Sequence, residues 1–192
     1  MKKSFYAYIS RLKHIRRWGL MRNTTEESVA EHSFDVIVIT HALAIIHNRV
    51  FGGNINEGEA VLAAAYHETG EAITGDLPTP VKYFDEDIMT AYKRLERHAE
   101  RTMVDMLPDE MRDSISVYVL GQADPQINKL VKAADKICAY IKCLEEKKSG
   151  NMEFEKAGAR LLSTLKTMDL PEINYFMDHF LEGYMLTLDE LN

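Results

Sequence analysis

The sequence predicts an all-α protein, a single-domain helical bundle spanning residues 1–192. Three observations point there. Apolar residues recur at helical spacing along most of the chain, and no hairpin dipeptide separates alternating apolar and polar runs. The composition is that of an ordinary globular chain, 46% hydrophobic and 28% charged. A chain of 192 residues is about one domain on the usual 100–200-residue prior and buries roughly 70% of its unfolded surface.

The periodicity places helices near 4–15, 28–48, 57–73, 86–106, 108–119, 126–148, 152–167 and 170–184. In the first, Phe5, Tyr8, Ile9, Leu12 and Ile15 form the docking stripe. The second has capping chemistry in Thr25 and Ser28, a broad apolar face of Val29, Phe34, Ile37, Ile39, Leu43 and Ile46, and a stop at Phe51-Gly52-Gly53-Asn54. Its β-branched stretch Val36–Ile39 continues in helical register, so it reads as buried helix. Asn56 with Glu59 three residues on predicts a capping box for the third helix. Gly75-Asp76-Leu77-Pro78-Thr79-Pro80 then interrupts the helical pattern in mid-chain, a rigid loop of the kind that lines sites. The remaining helices rest on the same periodicity.

Charge and cysteine usage narrow the function. The net charge is -7, with 30 acids against 23 Lys and Arg, which favours solubility and argues against a long nucleic acid as partner. Seven cations, Lys2, Lys3, Arg11, Lys13, Arg16, Arg17 and Arg22, precede the first acid, Glu26. An acid-free basic start resembles a transit peptide, but its apolar residues keep helical spacing and assign it to the fold. No secretory h-region follows Lys3, and no run reaches the ~18 apolar residues of a membrane span. Cys138 and Cys143 lie five apart, about 140° around a helix at ~100° per residue, so they do not bridge each other. A metal-binding pair sits roughly two to four apart. Two reduced, packed thiols fit a cytoplasmic protein.

Three helices carry ionisable groups in apolar surroundings. Tyr66-His67-Glu68-Thr69-Gly70-Glu71 ends the run Val61-Leu62-Ala63-Ala64-Ala65. His67 and Glu71 share a face at i,i+4, and Glu68 stands about 100° round. A zincin would need His at 71, so a zinc peptidase is not expected. His32 lies within the second helix, where the plainer alternative is a packed core histidine. Asp135 lies among Leu130, Val131, Ala134, Ile137 and Cys138, where the plainer alternative is a cap or a lysine partner. Buried ionisable groups are rare unless paired or metal-bound. Imidazoles and carboxylates from facing helices suit one divalent transition metal: Mn, Co, Ni, Zn or Fe.

At this point the chain resembles the HD superfamily of phosphohydrolases, and within it the bacterial HD-domain 5′-deoxynucleotidases. The resemblance rests on Arg17-Trp18, Glu31-His32-Ser33, the run from Gly75 to Phe84 (GDLPTPVKYF), the run from Cys138 to Glu146, and Tyr175-Phe176-Met177. It covers nearly the whole chain.

It implies a bundle of the HD-domain type, a homodimer, and a cobalt- or manganese-class metal held by His32, His67, Glu68 and Asp135. It further implies that Arg17 orients the phosphate, Trp18 senses the sugar and Glu71 is the catalytic acid. Asp76, Leu77, Pro78 and Thr79 would form the substrate loop, Asp76 reading the 3′-hydroxyl, with His32 and Asp135 also in reach of substrate. The implied reaction converts deoxyribonucleoside 5′-monophosphates to deoxynucleoside and phosphate. One departure stands out: the family's second-motif Asp is Glu68 here, longer by one methylene, about 1.5 Å of bond. Two alternatives remain open from sequence: an HD phosphohydrolase with another nucleotide (a triphosphate or a ribonucleotide) or phosphate-ester substrate, or a non-catalytic nucleotide-binding protein.

Overall fold

Ser28 starts the central helix. Its hydroxyl accepts from the Glu31 N–H, and the Glu31 carboxylate accepts from the Ser28 N–H, a reciprocal capping box. The helix it opens, α2 (Val29–Arg49), packs against α3 (Glu57–Tyr66) and α8 (Pro125–Lys148). Around them lie α1 (Phe5–Ile9), α4 (Glu71–Thr74), α5 (Thr79–Lys82), α6 (Glu86–Asp105), α7 (Asp109–Val119), α9 (Glu155–Thr167) and α10 (Pro171–Phe180). This computed structural model describes residues 3–191; Lys2, counted among the N-terminal cations, lies outside them. Among the described residues there are no strands, only an isolated antiparallel bridge between Arg16 and Ser28.

Two apolar clusters hold these helices. The larger joins α2, α3, α8 and α10 through Val36, Leu43, Ala64, Leu130, Ile137 and Phe176. The smaller packs Phe5 and Leu12 with Ala72, Met103, Leu107 and Ile115, and so seats the N-terminal segment. Burying a side chain of Leu or Phe size contributes about 1.5–3 kcal/mol. Val29 belongs to this second cluster, so the start of α2 lies where the N-terminal segment docks. Helix α2 is also long and apolar enough to cross a membrane by length and composition alone, contrary to expectation; half of that stretch is buried inside the fold.

Several elements depart from the periodicity. The first helix is α-helical only over Phe5–Ile9 and tightens to a 3-10 turn over Ser10–His14. Phe34, expected on the core face of α2, is 65% exposed. Leu62 is exposed as well. Asn56 makes half of its capping box by accepting from the Glu59 N–H. The expected helix 57–73 stops at Tyr66, resumes at Glu71 and ends at Thr74. Side chains cause the stop: the His67 imidazole Nδ1 lies 2.7 Å from the Ala64 carbonyl, and the Thr69 hydroxyl donates to the Tyr66 carbonyl. Both compete with helical bonding. The Pro-rich loop contains the one-turn helix α5, with Pro80 in its first turn. The last two expected helices each carry a 3-10 turn, Met152–Phe154 before α9 and Leu181–Met185 after α10. Cys138 and Cys143 are free and buried, and burial pushes both thiols up.

A buried ion pair stitches the segment after Trp18 to α8. Lys142 donates to Glu146 at 2.6 Å and to the Thr25 carbonyl. The Glu146 carboxylate also accepts from the Thr24 and Thr25 N–H groups and from Asn151, whose amide donates to the Arg22 carbonyl. Burial opposes the Glu146 charge, but the Lys142 bond and the other donors outweigh it and hold its carboxyl down to about 2 from 4.5. A depressed carboxyl adds stability above its unfolded pKa and loses it as pH falls through the folded one. The loss therefore runs from pH 4.5 down to about 2 and amounts to about 3 kcal/mol at ~1.36 kcal/mol per unit. Urea unfolding against pH should show that acid limb in the parent and a flattened one in Glu146→Gln. Glu146→Ala should lose about 3–5 kcal/mol at pH 7, because Lys142 is left buried and unpaired.

Candidate active site

His32 sits one turn into α2 and is fully buried. Asp135 lies midway along α8, the helix packed on that face. Their side chains meet, His32 Nε2 to Asp135 Oδ1 at 3.1 Å. The turn that ends α3 delivers the other pair, His67 Nε2 to Glu68 Oε1 at 3.4 Å. The two imidazole rings are 5.8 Å apart. One ligand atom from each of the four residues lies within 4.8 Å of all the others.

This arrangement fits a metal ion. The His67 Nδ1 hydrogen bond to Ala64 places the proton on Nδ1 of the neutral ring and turns the Nε2 lone pair into the cluster. That Nε2 is buried and has no hydrogen-bond partner. Two imidazoles and two carboxylates are a donor set for a divalent first-row ion. Both plainer alternatives are also present: His32 is packed in the core, and Asp135 pairs with Lys136 at 2.8 Å. Neither accounts for His67 and Glu68 facing the same point.

The electrostatics separate the acids. Burial opposes the Asp135 charge, but the His32 bond and the Lys136 ammonium hold its carboxyl well below the usual range. Burial likewise opposes the Glu68 charge, and His67 overcomes it. Burial lowers His32, whereas on His67 it is outweighed by Glu68 and the shift is upward. Glu71 behaves differently. Burial, then the Glu68 and Asp76 carboxylates, push it up to about 10, so it holds a proton at neutral pH. Burial also raises Asp76, against the pull of Arg17 and a hydrogen bond from the Trp18 backbone.

Arg17 and Trp18 stand on the segment between the 3-10 turn and α2. Arg17 is not the solvated cation its sequence context allows: its side chain is 13% exposed and pairs with Glu27 at 2.7 Å. Burial works against its charge, yet Glu27, Asp135, Glu68 and Asp76 together raise its pKa, which sets the guanidinium within electrostatic reach of the cluster. The Trp18 indole donates to the same Glu27 oxygen at 3.2 Å and packs edge-on against Phe154. Leu77 and Pro78 follow Asp76 half-buried, and Thr79 is exposed at the start of α5. These three adjoin the site through the chain and stand outside the four-ligand cluster. Lys82 is engaged with Glu96 at 2.7 Å. Sequence reasoning missed Glu27: beside Glu26 it reads as a solvated pair of acids, and only the fold turns it inward.

Comparison with solved structures first gives the class. The backbone is similar to an HD-domain phosphohydrolase from Listeria innocua, with a TM-score of 0.82 and 21% identity over 96% of this chain and 90% of that one. It is also similar to the cyanophage S-2L HD phosphohydrolase DatZ, solved with dA and one catalytic zinc ion. There the TM-score is 0.67 and the identity 19%, over 93% of this chain and 96% of that one. Likeness at these identities establishes the helical HD-domain fold.

The sequence then narrows the class. The family model described as 5′-deoxynucleotidase YfbR-like matches residues 4–184, and the chain belongs to that family. Curated relatives include the 5′-deoxynucleotidase of Vibrio cholerae, 47% identical over 98% of this chain and 97% of the relative. The 5′-deoxynucleotidase YfbR of Escherichia coli is 49% identical over 100% of this chain and 98% of the relative.

The cluster predicts its own metal dependence. Metal-stripped protein titrated with Mn, Co or Zn should bind one equivalent. At free metal 100-fold above Kd it should gain about 2.7 kcal/mol of unfolding free energy. Asp135→Ala should remove that gain, as read by thermal unfolding with and without metal.

Proposed function

We infer that this chain is a metal-dependent 5′-deoxynucleotidase, hydrolysing deoxyribonucleoside 5′-monophosphates to deoxynucleoside and phosphate. The observation that carries the inference is the four-residue cluster with Arg17 beside it, in a chain that the 5′-deoxynucleotidase family model matches over residues 4–184. His32, His67, Glu68 and Asp135 would hold a divalent transition cation. When bound, such an ion polarises phosphoryl oxygens and lowers the pKa of water toward ~7.

The chain's own side chains supply the rest. Arg17 orients the phosphate through its planar fork, which lysine cannot match. Glu71 keeps a proton on its carboxyl at neutral pH and gives it to the departing 5′-oxygen. Asp76 accepts from the sugar 3′-hydroxyl, and the Trp18 ring crowds out a 2′-hydroxyl. Leu77, Pro78 and Thr79 complete the sugar side, and His32 and Asp135 border the substrate as well as the ion.

The same reading takes residues 1–192 as a single cytoplasmic domain, in keeping with two buried reduced thiols. It assigns no membrane and, at a net charge of -7, no long nucleic acid. It takes the working form as a homodimer. Phe34 and Val38, 65% and 51% exposed, lie along a groove on the N-terminal half of α2 that a second copy would cover.

A metal-by-substrate screen on metal-stripped protein tests the function: Mn, Co, Zn, Ni and Fe crossed with dNMPs, NMPs, dNTPs and sugar phosphates. Activity should require metal and favour dNMPs; a strict preference for triphosphates would overturn the assignment. Arg17→Ala should lower kcat/KM by roughly 10²–10³, the usual cost of truncating one partner of a buried charge pair. Unfolding free energy should fall by about 1–3 kcal/mol, less than for Glu146→Ala, because Glu27 keeps the Trp18 indole as a donor.

Glu71→Gln should lower kcat by about 10²–10⁴. Its stability has the opposite sign. A carboxyl raised on folding costs stability from pH 4.5 upward to about 10, because only the unfolded chain ionises in that window. The amide has no such loss. Metal-free Glu71→Gln should therefore be more stable than the parent at pH 8 and no more stable at pH 4, measured by urea unfolding.

A further inference from the structure

The segment from Ile15 to Val29 carries Arg17 and Trp18 with little secondary structure to hold them. Its two ends are joined by the Arg16–Ser28 bridge, by Arg17 N–H to the Glu27 carbonyl at 2.9 Å and by Val29 N–H to the Ile15 carbonyl at 2.9 Å. Trp18 is the one non-glycine residue with positive φ among the described residues, at 59°. A bulky L-residue in the left-handed region is strained, and it persists only where its surroundings over-determine it.

Side-chain contacts supply that constraint. The Trp18 ring lies edge-on to Phe154 with centroids 5.2 Å apart, and the buried Lys142 ammonium is 5.7 Å from the Phe154 ring. A single oxygen, Glu27 Oε2, accepts from Arg17 Nη1 at 2.7 Å and from Trp18 Nε1 at 3.2 Å. Glu27 is itself only 13% exposed by side chain, so both bonds lie in a partly dry setting where charge-assisted bonds are strong. The guanidinium has five donors; with one group committed to Glu27, the rest can face a phosphate in a fixed direction.

We propose that Glu27 is a positioning residue that locks the arginine and the tryptophan to each other through one carboxylate oxygen, so that phosphate orientation and deoxyribose selectivity are set together. The proposal rests on the reading above, in which Arg17 meets the phosphate and Trp18 the sugar. Glu27 touches neither substrate nor metal; it acts through the two side chains it holds. It also places a compensating negative charge behind a guanidinium that must stand near a bound cation.

The test uses the fact that Trp18 is the only tryptophan, so indole fluorescence, excited where tyrosine does not absorb, reports the surroundings of this one ring. In Glu27→Gln the acrylamide quenching constant of metal-loaded protein should rise at least about twofold, as the indole loses its charged acceptor. On the dNMP and NMP panel, kcat with dNMP should fall roughly 10-fold or more and the dNMP/NMP ratio of kcat/KM roughly 10-fold, since misplaced orienting groups forfeit rate. In a Trp18→Phe background, which lacks the indole donor, Glu27→Gln should leave that ratio unchanged. Glu27→Asp should move every readout in the same direction by less, and it serves if Glu27→Gln does not fold.

Unchanged quenching overturns the proposal outright. Raised quenching with unchanged selectivity also overturns it, and Trp18→Ala then identifies the failed premise. If Trp18→Ala still discriminates, tryptophan does not read the sugar; if it does not, the tryptophan reading stands and Glu27 does not govern it.

Discussion

Two imidazoles and two carboxylates brought within 4.8 Å of one another, largely out of water, are the constraint around which the rest of the structure is arranged. Two carboxylates so close repel each other, and burial strengthens the repulsion. The protein places positive charge against them through Lys136 and through the carboxylate-raised Arg17. A cation among the four ligands would remove the remaining mismatch. The packing of α2 on α8 follows from the same requirement, since His32 and Asp135 reach each other only where those helices touch. So does the early end of α3. Continued as a helix, it would aim His67 and Glu68 ~100° apart; stopped by the Ala64 and Tyr66 carbonyl bonds, it turns both toward one point.

The acids around that point divide by environment. Asp135, held by the His32 bond and the Lys136 ammonium, and Glu68, held by His67, stay ionised, while Glu71 has carboxylate neighbours and stays protonated. Pairs of titratable groups whose surroundings push them apart are what acid–base chemistry at neutral pH requires. The net charge of -7 is no obstacle to an anionic ligand, because the field that matters is local. The acid-free N-terminal segment brings Arg17 to the cluster, and the Lys142–Glu146 pair anchors the chain that follows it.

Helices were legible because burial imposes a period, and the residues that broke the period were those answering to something else. Phe34 satisfies the apolar spacing of α2 yet faces outward; hydrophobicity alone does not say which of several apolar faces meets the core. The break at residues 67–70 was invisible because it depends on side chains capturing carbonyls, which spacing does not register. The types and order of the four clustered residues could be read from their unusual apolar settings, but their convergence on one point is a property of the packing. Glu27 left no mark at all: its importance lies in a hydrogen-bonding geometry that exists only once the segment folds back through the Arg16–Ser28 bridge.

Glu68 shows how such a site absorbs a change of side chain. A glutamate where the family resemblance expects aspartate adds about 1.5 Å of bond to the arm, against a ligand-distance tolerance of about 0.2 Å. On a rigid helix that surplus would carry the oxygen past its neighbours. Residue 68 instead stands in the turn between α3 and α4, where the backbone is not bound to helical geometry. Its oxygen lies 3.4 Å from His67 Nε2 and within the span shared by all four ligand atoms. With a glutamate at this position the set of two nitrogens and two oxygens still lies within one span.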